Sequence, residues 1–292
     1  MNASVYAQIL VGGALMGLVY ALIAYGFQLT YATSKSINFG QGELVMVSAF
    51  VSLSLLDAGL DYWLVLPLGI LFGALLGLAV ERAGVRLALE QRSEGWILLT
   101  IILGLLLFSA AENIWGRDDR PFPTPFPADP IRVLGVDVTA VELSVAVGVL
   151  AVMGLVEVFK RETLLGKAFE AVSADRDAGE LMGISAKHTI MLSYALSGGV
   201  AALAGILVSP ITTVGPTMAS ALVLKAFSVA VVAGLESGFG VVLVGMFLGA
   251  LESLASFTVG SGWREAPGLV LLILALAVRP TGVFGKAAIR KV

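Results

Sequence analysis

The sequence predicts an all-α, polytopic membrane helix bundle, a single transmembrane domain over residues 1–292 with eight or nine spans. Three observations carry this. Hydrophobic residues make up 58% of the chain and charged ones 13%, at a mean hydropathy of +0.95, whereas soluble domains carry about 25% charged residues. Apolar runs near the length a bilayer demands, about 20 residues, recur along the chain. Thirty-four glycines suit close helix packing in a membrane. One aqueous core could not hide so much apolar surface in a chain of this size.

The first span runs from about Val5 to Tyr31, interrupted only by Gln8 and Gln28. The preceding MNAS lacks a basic stretch, so no cleaved signal peptide is expected. Thr33 to Glu43 is polar and glycine-containing, and a short second span follows from about Leu44 to Leu56. Asp57 to Tyr62 is a turn. The third span, about Leu64 to Val80, carries Gly69, Gly73 and Gly77 at a spacing that suits small-residue packing. Glu81 to Gly95 reads as a charged loop with Arg82, Arg86 and Arg92. Span four is about Trp96 to Trp115. Five prolines between 121 and 130 forbid regular helix, so 116–137 is expected to be an extended external loop. Span five covers about Val141 to Phe159 and span six about Thr189 to Val208. Ser209 to Pro216 is a break containing Pro210 and Pro216. Span seven is about Met218 to Leu235 and span eight about Val241 to Phe257. Ala266 to Val278 is either a half-helix or the end of a longer one reaching through Trp263.

Lys and Arg set the orientation. The loops at 81–95 and 160–188 and the tail at 279–292 hold three, five and four cations. These share a side if the N-terminus is outside and the C-terminus cytoplasmic. The loop at 116–137, on the other side, holds three. Gly12-Gly13, LVMVSAF at 44–50 and FGALLGL at 72–78 are echoed in order by Gly198-Gly199, LVLKAF at 222–227 and FLGALESL at 247–254. With spans one and six running oppositely, these predict inverted repeats.

The longest polar stretch between spans is Lys160 to His188, where ten of 29 residues are charged. Each charge in hydrocarbon would cost about 2.5–3.5 kcal/mol, so the stretch must lie in water. Leu165, Phe169 and Val172 fall on one helical face. Asp175 is placed to cap a second short helix with Ala178, Leu181 and Met182 on its apolar side, and Gly183 to end it. Such a helix on an aqueous loop needs a lipid surface or a partner's groove to cover its apolar face.

Residues 166–185, GKAFEAVSADRDAGELMGIS, resemble the cytoplasmic coupling loop of ABC-importer permeases of the branched-chain (hydrophobic) amino acid family. INFGQGE at 37–43, LLTIILGLLLF at 98–108, the stretch 224–253 and RPTGVFGK at 279–286 match that family in order. The family usually has GLGS where this chain has Gly234-Leu-Glu236-Ser237. The resemblance implies a bacterial inner-membrane importer of branched-chain or related hydrophobic amino acids. It implies a second homologous permease subunit, two ATP-binding cassette ATPases and an extracytoplasmic substrate-binding protein. ATP and Mg would belong to the ATPases, with no cofactor in this chain. The ATPase-coupling residues would be Leu165, Gly166, Phe169, Val172, Asp175, Leu181 and Gly183.

The residues give no sign of an enzyme. Cysteine is absent, which excludes disulfides and thiolate chemistry. A net charge of −3 points to no nucleic acid. GVFGK at 282–286 lacks the spacing and hydroxyl of a phosphate-binding loop. His188, the only histidine, is expected at the loop–membrane boundary. Asn38, Gln41, Gly42 and Glu43 form a glycine-loosened polar patch between two spans. It has two readings, a substrate pathway or a solvated turn. Lys225 is expected to pair with Glu252 or Glu43, while Glu112 and Glu252 are explained by snorkelling or helix-end placement. Thr212-Thr213 stands in a break that lines a cavity or is a plain external loop. An ion-coupled secondary transporter of a small polar solute, with Glu43 as its acid, is the competing function; a scaffold role leaves the polar breaks unexplained.

Overall fold

In the computed structural model, residues 3–91, 93–127, 129–133, 135–279 and 281–285 are described; Arg92, Lys286 and the rest of the basic tail fall outside them. The chain runs through α1 (Ala3–Ser34), α2 (Gln41–Asp57), α3 (Tyr62–Val80), α4 (Arg86–Glu90) and α5 (Trp96–Trp115). Two short strands, β1 (Ile131–Val133) and β2 (Val136–Val138), precede α6 (Ala140–Glu162), α7 (Leu164–Ala174) and α8 (Arg176–Leu181). Then come α9 (Ala186–Thr212), α10 (Met218–Ala233), α11 (Gly240–Thr258) and α12 (Ala266–Val278).

Among the described residues, seven helical stretches are long and apolar enough to cross a membrane. That is fewer than the eight or nine expected. The difference lies in α2 and α10, with 17 and 16 residues. At about 1.5 Å per residue they fall short of a hydrocarbon core about 30 Å thick.

Two antiparallel helix pairs form the frame. Gly13 and Gly17 of α1 lie against Gly249 and Gly245 of α11, so closely that a Cβ on any of these glycines would strike the facing backbone. Gly73 and Gly77 of α3 meet Gly198 and Tyr194 of α9 in the same way. Small residues permit this backbone approach, which is how helices associate where lipid removes the hydrophobic drive. The glycine motifs that repeat in the sequence therefore recur as partners in two like pairs. Tyr20, Phe27, Tyr194 and Ile206 are buried in the seam between and around them. The outer faces of α5, α6 and α12 expose leucines such as Leu105, Leu150 and Leu274.

The bundle has two distinct ends. At one, Gln8 of α1 accepts from the Asp137 amide at 2.8 Å, placing the N-terminal turns of α1 beside the β1–β2 hairpin. Phe126 in the proline-rich segment packs edge-on against Tyr62 and Trp63, and Arg120 bridges Val214 after α9. At the other end lie the 160–188 loop, the α1–α2 break and the segment 281–285. Thus α1 runs from the hairpin end to the loop end and α9 runs back.

Three expectations need correction. Glu81–Gly95 is not simply a charged loop: the chain continues helically through a π turn at Glu81–Val85 and α4. Glu81 is 2% exposed and receives both Nε (3.0 Å) and a terminal nitrogen (2.8 Å) of Arg86, which lets the helix continue with its charge neutralised. The break expected at Ser209 begins only after Thr212, because Pro210 falls in the last turn of α9 and interrupts little of its ladder. The 116–137 loop is not wholly extended irregular chain, since β1 and β2 pair antiparallel with Arg132 opposite Asp137.

The frame predicts a sharp contrast between glycines. Gly249→Val should destabilise the purified chain by at least the ~1–3 kcal/mol typical of overpacking. Gly154→Val in α6, where a Cβ meets nothing within 4 Å, should be neutral. Denaturant-driven loss of helicity in detergent measures both.

Candidate functional site

The polar patch at 38–43 is a buried joint. The break after α1 begins at Lys35, whose φ of +53° lies in the left-handed region. A ladder of hydroxyls ties the end of α1 to α9. Thr33 Oγ1 donates to Ser193 Oγ at 2.8 Å, and Ser36 Oγ lies 2.9 Å from the Tyr194 hydroxyl. Asn38 is fully buried; its Oδ1 accepts from the Gly40 amide at 3.1 Å and its Nδ2 donates to Gln41 Oε1 at 3.3 Å. Gln41, also fully buried, accepts from Ser197 Oγ at 3.2 Å, and Ser197 donates as well to the Gly26 carbonyl. Gly26 leaves the space that the Gln41 amide fills. Gly42 lies on the Ala219 carbonyl of α10, where a Cβ would stand at 2.6 Å.

This burial removes the solvated-turn reading. It also assigns different work to the four residues. Asn38 and Gln41 use their polar atoms to lock α1, α2 and α9, and Gly42 admits α10. Glu43 differs: it sits against Gly104, and its buried Oε2 has no hydrogen-bond partner among the described residues.

A second joint was not anticipated. Gln28 Nε2 donates to the Gly234 carbonyl at 2.8 Å and to Ser237 Oγ at 3.2 Å, clasping the turn after α10. Val283 and Phe284 amides donate to the Val232 and Ala233 carbonyls. Gly234 and Gly282, at φ +98° and +83°, approach too closely for side chains. Glu236, where the resembled family has glycine, points out and pairs with Lys35 at 2.7 Å. Its parts were visible separately in the sequence, as Gln28 inside an apolar run and as the stretches 234–237 and 279–286, but nothing there joined them.

The 160–188 loop is folded onto its own bundle. Thr163 caps α7 by accepting from the Gly166 amide at 2.9 Å. Asp175 caps α8 through the Ala178 amide at 3.1 Å, as expected. Gly183, at φ +83°, ends α8 with Ile184 bonding back to Gly179 and Gly183 to Glu180, a Schellman closure. Phe169 and Val172 are both 2% exposed, and Lys160 Nζ lies 6.0 Å from the Phe169 ring centre. Gly166 has no room for a Cβ beside Phe159 and Lys160, so it is needed for close approach; of the loop's two predicted glycines, Gly183 is the one with positive φ. The face of Leu165, Phe169 and Val172 is therefore divided: Phe169 and Val172 anchor the loop to this chain, while Leu165 is exposed. The expectation that the loop has nothing of its own to pack on fails because α1, α6 and α9 all reach α7. What protrudes is Leu164, Leu165, Leu181 and Met182, at 87%, 62%, 89% and 83% exposed. Ala178, expected on a covered side, is exposed as well, and His188 sits exposed beside Ser185.

A family model described as branched-chain amino acid transport system / permease component matches residues 9–278. The chain belongs to this family. The permease is 27% identical to the high-affinity branched-chain amino acid transport system permease protein LivH of Salmonella typhimurium, over 98% of both chains. It is equally similar to LivH of Escherichia coli K12. It is 29% identical to the corresponding protein BraD of Pseudomonas aeruginosa, again over 98% of each. No solved structure matches it. It is a multi-pass membrane transport component, not an enzyme.

The permease's joint yields a contrast. Gln41→Leu strands Asn38 Nδ2, while Ser197 keeps the Gly26 carbonyl, and should destabilise by about 1–3 kcal/mol. Glu43→Gln, whose Oε2 makes no bond to lose, should melt as wild type. Thermal unfolding in detergent distinguishes them.

Proposed function

We propose that this chain is the membrane-spanning subunit of an ABC importer for branched-chain or related hydrophobic amino acids. The observation that carries the reading is the match to branched-chain permeases from residue 9 to 278, across the frame, the 38–43 joint and the loop. Its partners are a second homologous permease, two ATPases that hold ATP and Mg, and an extracytoplasmic binding protein. Of the eight or nine spans expected in the bacterial inner membrane, termini on opposite sides require nine, the seven long helices together with α2 and α10. The N-terminus is outside and the C-terminus cytoplasmic, and the halves are inverted repeats.

The loop geometry supports a lever. Leu165 and Leu181, flanked by Leu164 and Met182, present apolar tips to a groove on the ATPase, where removing their surface from water favours association. Gly166, Phe169, Val172, Asp175 and Gly183 fix those tips relative to the bundle. A push on the tips from ATP-driven closure is delivered to α1, α6 and α9, because Phe169 and Gly166 permit no slack. The α1 end then moves the buried joint of Asn38, Gln41, Gly42 and Glu43, which we place on the substrate pathway. One observation favours the second reading, an ion-coupled carrier: Glu43 keeps a carboxylate oxygen without a partner.

Leu165→Glu combined with Leu181→Glu should lower ATPase retention by about tenfold or more in a pull-down, with the melting temperature unchanged. Phe169→Ala should instead destabilise the chain itself by about 3–5 kcal/mol. Full ATPase retention and full uptake by the double variant would sink the lever and return the ion-coupled carrier.

Orientation has its own test, helped by the absence of native cysteine. In intact cells an impermeant thiol reagent should label Arg132→Cys and spare Asp177→Cys. The reverse pattern would invert the topology.

A further inference from the structure

Lys225 of α10 and Glu252 of α11 form an ion pair inside the bundle, Nζ to Oε2 at 3.0 Å, with side chains 12% and 2% exposed. The snorkelling expected for Glu252 does not occur. Tyr20 of α1 donates its hydroxyl to the same oxygen at 3.1 Å, and Lys225 Nζ lies 5.5 Å from the Tyr20 ring centre. Glu252 Oε1 has no hydrogen-bond partner among the described residues. Buried pairs of this kind are often no better for stability than packed apolar residues. Ionisable groups within spans mark pathways more often than they mark scaffolding. Neither the buried joint nor the loop uses this pair.

Lys225 borders two adjoining cavities. One, of about 290 Å³, opens at the hairpin end and is also lined by Arg264, Asp119 and Glu265. The other, of about 380 Å³, continues between α10 and α12 and shares Lys225 and Glu265. Their volumes are at the small end of small-molecule sites. The hairpin-end cavity thus brings two cations and two acids together around one space. Its remaining wall includes Met16, Met218 and Leu222, which are apolar.

Two unusual backbone features line this space. Thr213, on the cavity wall, has φ +74° and ψ 162°, a conformation almost confined to glycine. It is held there by paired amide bonds between Arg120 and Val214, each 2.8 Å. Gly215 leaves room for the Asp119 carboxylate, which any Cβ would displace. The break at Thr212-Thr213 is therefore cavity wall rather than plain loop.

We propose that this cavity binds a zwitterionic α-amino acid. Lys225 and Arg264 take the carboxylate, Glu265 and Asp119 take the ammonium, and the aliphatic side chain rests on Met16, Met218 and Leu222. The proposal rests on the reading of the chain as an amino acid importer and adds a receiving site at the hairpin end, separate from the 38–43 joint. A phosphatidylethanolamine headgroup carries the same two charges. The apolar wall, sized for a short aliphatic group, favours the amino acid.

The test is binding of radiolabelled L-leucine to the full-length chain in phosphatidylcholine nanodiscs. Binding should be saturable. Isopentylamine and 4-methylpentanoate, each lacking one charged group, should compete about a hundredfold less well, because the site's unmatched charge is left unpaired. Arg264→Gln and Glu265→Gln, both at exposed positions, should each weaken leucine binding by about tenfold or more without changing the melting temperature. Lys225→Met with Glu252→Met, which removes both charges of the pair together, should abolish it. The proposal is overturned if leucine does not bind, if Arg264→Gln and Glu265→Gln bind it as wild type, or if either single-charge analogue competes as well as leucine. It is also overturned if added phosphatidylethanolamine displaces leucine at lipid concentrations well below those of a bilayer. Uptake by the assembled transporter separates the two claims. Wild-type import of leucine, kept with unchanged KM in the Arg264 and Glu265 variants, discards the cavity and leaves the function standing. Leucine binding by the chain without leucine import by the wild-type transporter discards the function instead.

Discussion

Backbone contact at glycine is the constraint on which this protein depends. In lipid, helices gain nothing from hiding apolar side chains from one another, so association rests on packing and on polar contacts. Here α1 lies on α11 at Gly13, Gly17, Gly245 and Gly249, and α3 lies on α9 at Gly73, Gly77 and Gly198. Each pair joins a helix of the first half of the chain to one of the second. The two halves are interlocked rather than laid side by side, and whatever moves α1 or α9 moves both.

Polar groups inside the bundle fall into two kinds. Along the seam between α1 and α9, Thr33 bonds to Ser193, Ser36 to Tyr194, and Gln41 to Asn38 and Ser197, so their desolvation is offset locally. Such a saturated network rigidifies the break after α1. Two carboxylates, Glu43 and Glu252, each keep one oxygen unsatisfied. An acceptor left unpaired in a dry interior is destabilising unless something supplies a donor. Tyr25, Gln28, Ser48 and Ser52 also keep an unpaired buried atom, so the two carboxylates stand apart by their charge rather than by being unsatisfied.

The loop between α6 and α9 shows how one apolar face can serve two ends. Phe169 and Val172 are covered by the protein's own helices, whereas Leu164, Leu165, Leu181 and Met182 stand in the open. A loop whose whole apolar face bound a partner would swing freely until that partner arrived. Anchored from beneath, it holds a fixed position and presents a small apolar tip.

Much of this was legible in the chain itself. The bounds of α5 at Trp96–Trp115 and α12 at Ala266–Val278 follow from where apolar runs stop. Asp175 and Gly183 announced the ends of α8, because capping and positive φ are satisfied within a few residues. The repeated glycine motifs marked the contact faces. Sequence alone could not say which helix each glycine meets, that Glu81 is neutralised by Arg86, or that Lys225 chooses Glu252 over Glu43. Nor could it divide Leu165 from Phe169, since both have the same helical period. Local signals depend on neighbours along the chain and are carried in its order. Burial, ion pairing and cavities depend on residues far apart in the chain, such as Tyr20 and Glu252, and only the packed bundle brings these together.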